Sequence, residues 1–344
     1  MSDIWTRYRS QMIAGGAVLL LLLLPLYLKD YPYRETIVTG AFFWAIMAAS
    51  WSLLAGTAGQ FSFAHMAFMG IGVYTAALLE RDNNASVGMA ILYGTLAAGL
   101  VGAIIGALTL RLRTAYLALF TIAFSELLRR WLTNEFKYTG GRNGLKLPPL
   151  WDGITRHEEY YVMLALLIVS LWLMQIILSS RMGIFLRAIR EDQEAAAALG
   201  INVVRYKVLI FVITSMFAGL AGAVFYHQVK LISPDTIVLL QMGTLIAMAV
   251  IGGIENIYAA GVGAFFIRIL QESLRGEVNL GFTIVELGAW RMAAFGLIMI
   301  LTLRFAQNGL LYPVFERLEG RAAAQELAVS IRQRPEDETE GPDA

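Results

Sequence analysis

Uncharged apolar runs long enough to cross a bilayer recur from residue 11 to residue 303, more than one or two soluble cores could bury. A bilayer core takes about 20 mostly apolar residues per helix. On that basis the sequence predicts helices near 11–28, 36–55, 61–80, 86–110, 114–132, 159–179, 205–228, 237–254, 257–274 and 286–305. The expected fold is an all-α polytopic membrane protein of about ten transmembrane helices. Little more than Gly252-Gly253 separates the eighth from the ninth, and the tenth carries Arg291. The runs are continuously apolar rather than alternating, which excludes a transmembrane β-barrel. Charged residues make up only 15% of the chain, against roughly 25% in an average soluble domain.

Composition also removes whole classes of chemistry. With 27 basic and 26 acidic residues there is no bulk polarity to attract nucleic acid. The chain has no cysteine, so disulfides, thiolate metal sites and thiol catalysis are excluded. His65, His157 and His227 are far apart and lack partners at metal-ligand spacing. No phosphate-binding G-x-x-x-x-G-K-[ST] loop, H-E-x-x-H or G-x-S-x-G is present. A chain without catalytic residues, metal or cofactor is expected, rather than an enzyme.

The first run, Met12 to Leu28, follows Arg7 and Arg9 and ends without a small-x-small cleavage site, so it reads as a retained signal anchor. Its N-terminus is then cytoplasmic, and an even span count puts the C-terminus there too. Arg111, Arg113, Arg181, Arg187, Arg190, Arg205, Lys207, Arg304, Arg317 and Arg321 all fall inside, as the positive-inside rule asks. The connection holding Arg129, Arg130, Lys137, Arg142, Lys146 and Arg156 falls outside, against the rule. Residues 1–35 form the anchor segment, 36–305 the membrane domain and 306–344 a cytoplasmic tail, acidic and disordered from about Pro335.

Within the spans, charges are costly and usually face an interior or a wet cavity. Glu126 lies late in the fifth span, and Arg268 and Glu272 stand one turn apart in the ninth, where they can neutralise each other. A helix-orienting pair and a pathway contact are the two readings. Gly56 and Gly59 precede Gln60, Ser62 and His65 at the start of span three, where a helix break would free backbone groups. Irregular backbone at that depth either lines a cavity or is covered by protein. Close packing of small residues is the plainer reading there, as it is for Gly102 and Gly106. Phe61, Phe63, Met66 and Met69 read as lipid or core contacts rather than a binding box. Gly140-Gly141 and Ser233-Pro234-Asp235 fall on the outer side.

Arg187 to Asn202 is the most informative segment. Asp192 can cap a short helix, Glu194 suits its positive end, and Gly200 supplies the left-handed residue that stops it. Four alanines leave a smooth surface, and so short a helix needs something to pack on. A surface helix between spans and a helix docked in a partner's groove both fit.

Glu194-Ala195-Ala196-x-x-x-Gly200 resembles the E-A-A-x-x-x-G signature of ATP-binding-cassette importer permeases. The flanking Arg190-Glu191-Asp192 and Leu199-Gly200-Ile201-Asn202 are similar to the version in LivM-type permeases of branched-chain amino acid importers. So are Gly56-Thr57-Ala58-Gly59-Gln60-Phe61-Ser62 with His65, Arg111 to Ala118, Thr139 to Gly144, and Ala218 to Ala223. Glu255-Asn256 and Arg268 depart from the pattern. The resemblance implies a type II importer fold in the bacterial inner membrane, with residues 190–200 as the helix that couples to the ATPases. It further implies a LivH-like second permease, two ATPase subunits and a periplasmic or extracellular substrate-binding protein as partners. Branched-chain or other hydrophobic amino acids are the implied cargo, with urea or short-chain amides as the alternative. A secondary transporter or channel is the competing class.

Overall fold

The computed structural model describes residues 15–16, 18–27, 31–109, 114–273, 277–279, 284–286, 296–297, 300–302, 304 and 309–310. The start of the expected signal anchor, Arg111 and Arg113, Arg291 with most of the tenth expected span, and the tail apart from residues 309–310 lie outside the described residues.

The described chain is helical almost throughout. Helix α1 covers Val18–Tyr27. It is followed by α2 (Pro32–Ser52), which runs into a π-helical turn at Leu53–Thr57, and by α3 (His65–Asn83), α4 (Val87–Leu108) and α5 (Thr114–Asn134). A short α6 (Phe136–Thr139) and strand β1 (Leu145–Lys146) lead to α7 (Arg156–Ser179), α8 (Arg181–Glu191) and α9 (Gln193–Ala198). Then come α10 (Val203–Val229), strand β2 (Leu231–Ile232), a 3-10 turn at Pro234–Ile237, α11 (Leu239–Gly252) and α12 (Ile257–Ser273). Strands β3 (Glu277–Asn279) and β4 (Ile284–Glu286) form an antiparallel hairpin.

Four segments each have the length and apolar content of a span: Pro32–Thr57, Val87–Leu108, Arg156–Ser179 and Val203–Val229. Helices α11 and α12 qualify only together and are bent by 118° at their break. The eighth and ninth expected spans are thus a sharply bent pair. On α4, Leu92, Leu96, Leu100 and Ile104 are exposed, and on α7 so are Val169, Trp172 and Ile176. Apolar stripes of this extent mark lipid-facing surface in a membrane protein.

Helix α2 is the central rod, packed by α7, α10, α11 and α12. Phe42 and Phe43 stack on Phe265 and Phe225 with centroids 5.6 and 4.5 Å apart. Helices α3, α4 and α10 form a second cluster held by small residues. A Cβ on Gly72 would stand 2.6 Å from Gly219 Cα, and one on Gly94 would stand 2.3 Å from the Gly72 oxygen. In lipid, close approach of this kind supplies the dispersion contacts that hold helices together. Gly102 and Gly106 serve the same packing against Ser215 and Phe211.

Chain direction sorts the loops onto two ends. At one end β1 pairs antiparallel with β2, Leu145 opposite Ile232, so the connections after α5 and α10 share a side. At the other end lie Thr57–Gln60, α8, α9, the α11–α12 turn and Leu310, whose N–H donates to the Ile251 carbonyl at 2.8 Å.

Candidate functional site

Helix α8 buries Gly183, Leu186 and Ile189 against the bundle, a three-residue spacing that lays one face on the protein. It ends at Asp192, which is extended, so residues 190–200 are not one helix. Arg190 and Glu191 close α8, and a separate α9 begins at Gln193. The elbow forms because the Asp192 Oδ1 accepts from the Glu194 and Ala195 amides at 2.8 and 3.0 Å. Both are among the amides a helix start leaves unpaired. At the far end the Gly200 N–H donates to Ala197 O and the Ile201 N–H to Ala196 O, with Gly200 at φ +83°. This is a Schellman stop, and it is why glycine stands there. Between the caps only Ala196 is buried, and Leu199 is 82% exposed.

Arg190 ties the elbow to the bundle. Its guanidinium donates to the Gly56 carbonyl and pairs with Glu255 in the α11–α12 turn. Its stem packs on Gly59, where an added Cβ would meet Arg190 Cγ at 3.1 Å. The Ser52 hydroxyl donates to Ile254 O at 2.7 Å, closing the other side of that turn. Glu255, the departure noted in the sequence, thus has a structural partner.

A cavity of about 620 Å³ opens among α2, α3, α10, the 3-10 turn, α11 and α12. Phe43, Trp44, Met66, Met69 and Phe225 give it apolar walls, and Asp235, Thr236, Gln241, Thr244, Arg268 and Gln271 give it polar ones. Met66 and Met69 are buried in the core, as expected, and also border this cavity. The 3-10 turn reaches this depth by re-entering. A Cβ on Gly70 would meet Ile237 Cδ1 at 2.3 Å, although β2 just before it pairs with β1 in the loop after α5. Gly70 is 13 residues from the end of α3, about 20 Å along the axis. The turn that Ser233-Pro234-Asp235 begins therefore runs back along α3 and puts Asp235 and Thr236 on the cavity wall. Non-helical backbone at membrane depth is tolerated where it lines such a space.

The other singled-out residues are distributed. Arg268 pairs with Glu272 at 3.3 Å, and the Tyr33 hydroxyl donates to Glu272 at 2.6 Å. Glu126 accepts from Arg129 and Arg130 on its own helix and borders a smaller space of about 120 Å³ beside Phe63 and Ser125. Gln60, Ser62 and His65 are buried away from the main cavity. The helix break expected near Gly59 exists, with Gly59 at φ +66°, but residues 59–64 are non-helical and α3 starts only at His65. Side chains fill the gap: Trp51 Nε1 donates to Ser62 O at 2.8 Å, the Phe63 N–H to the Thr121 hydroxyl at 2.9 Å, and the Ser125 hydroxyl to Phe63 O at 3.0 Å. Two pairs were not foreseen, His227–Glu80 at 2.7 Å and His157–Glu35 at 2.6 Å. Among the described residues no cluster suits a metal ion.

The family described as branched-chain amino acid transport system, permease component, matches residues 33–303. The high-affinity branched-chain amino acid transport system permease protein LivM of Salmonella typhimurium is 26% identical over 303 residues, 80% of this chain and 69% of its own. The corresponding LivH protein of Escherichia coli is 30% identical, covering 66% of this chain and 80% of its own. An L-arabinose ABC transporter permease protein, AraH of Azospirillum brasilense, is 26% identical over 59% of this chain and 60% of its own.

Proposed function

The chain belongs to the branched-chain amino acid transport permease family and is LivM-like, and from that premise we propose that it is a permease subunit of an ATP-driven importer. It carries part of the pathway for branched-chain or other hydrophobic amino acids across the bacterial inner membrane. It does so beside a LivH-like permease, two ATPase subunits and a substrate-binding protein. About ten spans, with both termini and the α8–α9 elbow cytoplasmic, complete the reading, as does the division into anchor, membrane domain and tail.

The observation that carries it is the elbow. A six-residue helix is unstable alone in water, yet α9 is capped at both ends, almost entirely exposed, and tipped by Leu199. A helix built this way suits a groove on another protein. Nucleotide-driven motion of that partner would reach the bundle through Asp192 and Arg190.

Gly200→Trp and Glu194→Lys are expected to leave the protein in the membrane while uncoupling ATP hydrolysis from uptake in proteoliposomes. Undiminished uptake in both variants at normal assembly overturns the docking role. Flux without nucleotide overturns the importer, and uptake of urea or an amide in place of leucine overturns the cargo.

A further inference from the structure

We propose that the main cavity is a binding station for an apolar zwitterion, with Arg268 taking the cargo's carboxylate and Asp235 its ammonium group. The inference rests on the importer reading and deepens it to named residues.

An amino acid brings two full charges into a low-dielectric space, and each is costly unless paired. A neutral solute such as urea or a sugar makes no such demand. Among its described lining residues the cavity carries one charge of each sign, on different elements: Arg268 on α12 and Asp235 on the re-entrant 3-10 turn. The guanidinium fork matches a carboxylate in two parallel hydrogen bonds. Glu272, held by Tyr33 at 2.6 Å and by Arg268 at 3.3 Å, fixes the arginine and balances its charge when no cargo is present. Met66 and Phe43, with Phe225 beside them, supply the apolar wall for a branched side chain. The cavity's 620 Å³ falls within the roughly 300–1,000 Å³ of small-molecule sites. It exceeds what one leucine fills, which suits a station that must also release its cargo.

The chain has no cysteine, so Thr244→Cys places a single thiol on it, at the cavity wall. In the assembled importer in proteoliposomes, alkylation of that thiol is followed on this chain by mass spectrometry. Leucine is expected to slow it at least threefold. Leucinamide, which lacks the carboxylate, and 4-methylpentanoate, which lacks the ammonium group, should each need at least tenfold higher concentrations. Asp235→Asn should erase the difference between leucine and 4-methylpentanoate. Arg268→Gln should erase that between leucine and leucinamide. Arg268→Lys, which keeps the charge beside Glu272, should retain part of it and guards against a folding defect. Equal protection by all three compounds, no protection by leucine, or variants that leave the ranking unchanged would each overturn the station in a complex that still imports leucine. A complex that imports only a neutral solute instead overturns the cargo assignment beneath it.

Discussion

Gly56→Ala tests whether the elbow and the bundle are joined by steric contact. A Cβ on Gly56 would lie 1.8 Å from the Ile254 carbonyl oxygen and 2.8 Å from its carbon. Relief to the roughly 3.3 Å of a close carbon–oxygen contact requires the α11–α12 turn to retreat by about 1.5 Å. That retreat pulls Ile254 O from the Ser52 hydroxyl, now at 2.7 Å, and Glu255 from Arg190. Overpacking of this kind costs about 1–3 kcal/mol, and the lost hydrogen bond adds about 0.5–1.5 kcal/mol. The expected total is about 1.5–4.5 kcal/mol, read as a lowered melting temperature of the purified complex in lipid nanodiscs. Transport per ATP hydrolysed should fall as well. Gly88→Ala is the control, because a Cβ there meets nothing within 4 Å. If Gly56→Ala melts with the control and keeps the wild-type transport ratio, the turn is not pressed against the π-helical turn as described.

Two further substitutions probe single hydrogen-bonded devices. Asp192→Ala removes the α9 cap and should cost about 0.5–2 kcal/mol locally, seen as faster amide exchange at Glu194 and Ala195 with the spans unchanged. His227→Leu leaves the Glu80 carboxyl, 2.7 Å from the ring and buried, without its partner. A loss of about 1–3 kcal/mol in thermal stability is expected, and a melt equal to wild type would refute the pairing.

The long spans were legible because each is an apolar run whose length alone answers to the bilayer. Both α9 caps were legible too, since Asp192 and Gly200 act on backbone a few residues away. Residues 59–64 were misjudged at their edge for the opposite reason. Phe61 and Phe63 prolong an apolar run, but the hydrogen bonds that stabilise a non-helical backbone there come from Trp51, Thr121 and Ser125 on two other helices. No local pattern announces such partners. The cavity was hidden in the same way: its described lining residues are scattered along the chain from Phe43 to Gly296. Asp235, read as part of an outer turn, reaches it only because the chain re-enters after β2. The available hint was polar residues in apolar runs, Gln241, Thr244 and Gln271, at positions where a lipid-facing helix would carry none.

Helix α11 is the element that touches both halves of the site. Its first nine residues include Gln241, Thr244 and Ala247 on the cavity wall, and its end carries the turn gripped by Ser52 and Arg190. It is interlocked with α12, where a Cβ on Gly263 would stand 2.3 Å from Gly252 Cα, so the helix bearing Arg268 is pressed against it. The ion pair between Arg190 and Glu255 is a weak link by itself. Its side chains are 33% and 41% exposed, a setting in which such pairs contribute about 0–1 kcal/mol. Reversing a two-state population from 1:99 to 99:1 takes about 5.5 kcal/mol. Under the importer reading, the ion pair therefore guides the turn while the backbone contact at Gly56 and the Arg190 stem on Gly59 bear the load. Packed backbone yields by shifting as a unit rather than by stretching, and that is why the glycines between elbow and turn, more than the charges, limit how much work the elbow delivers to the cavity.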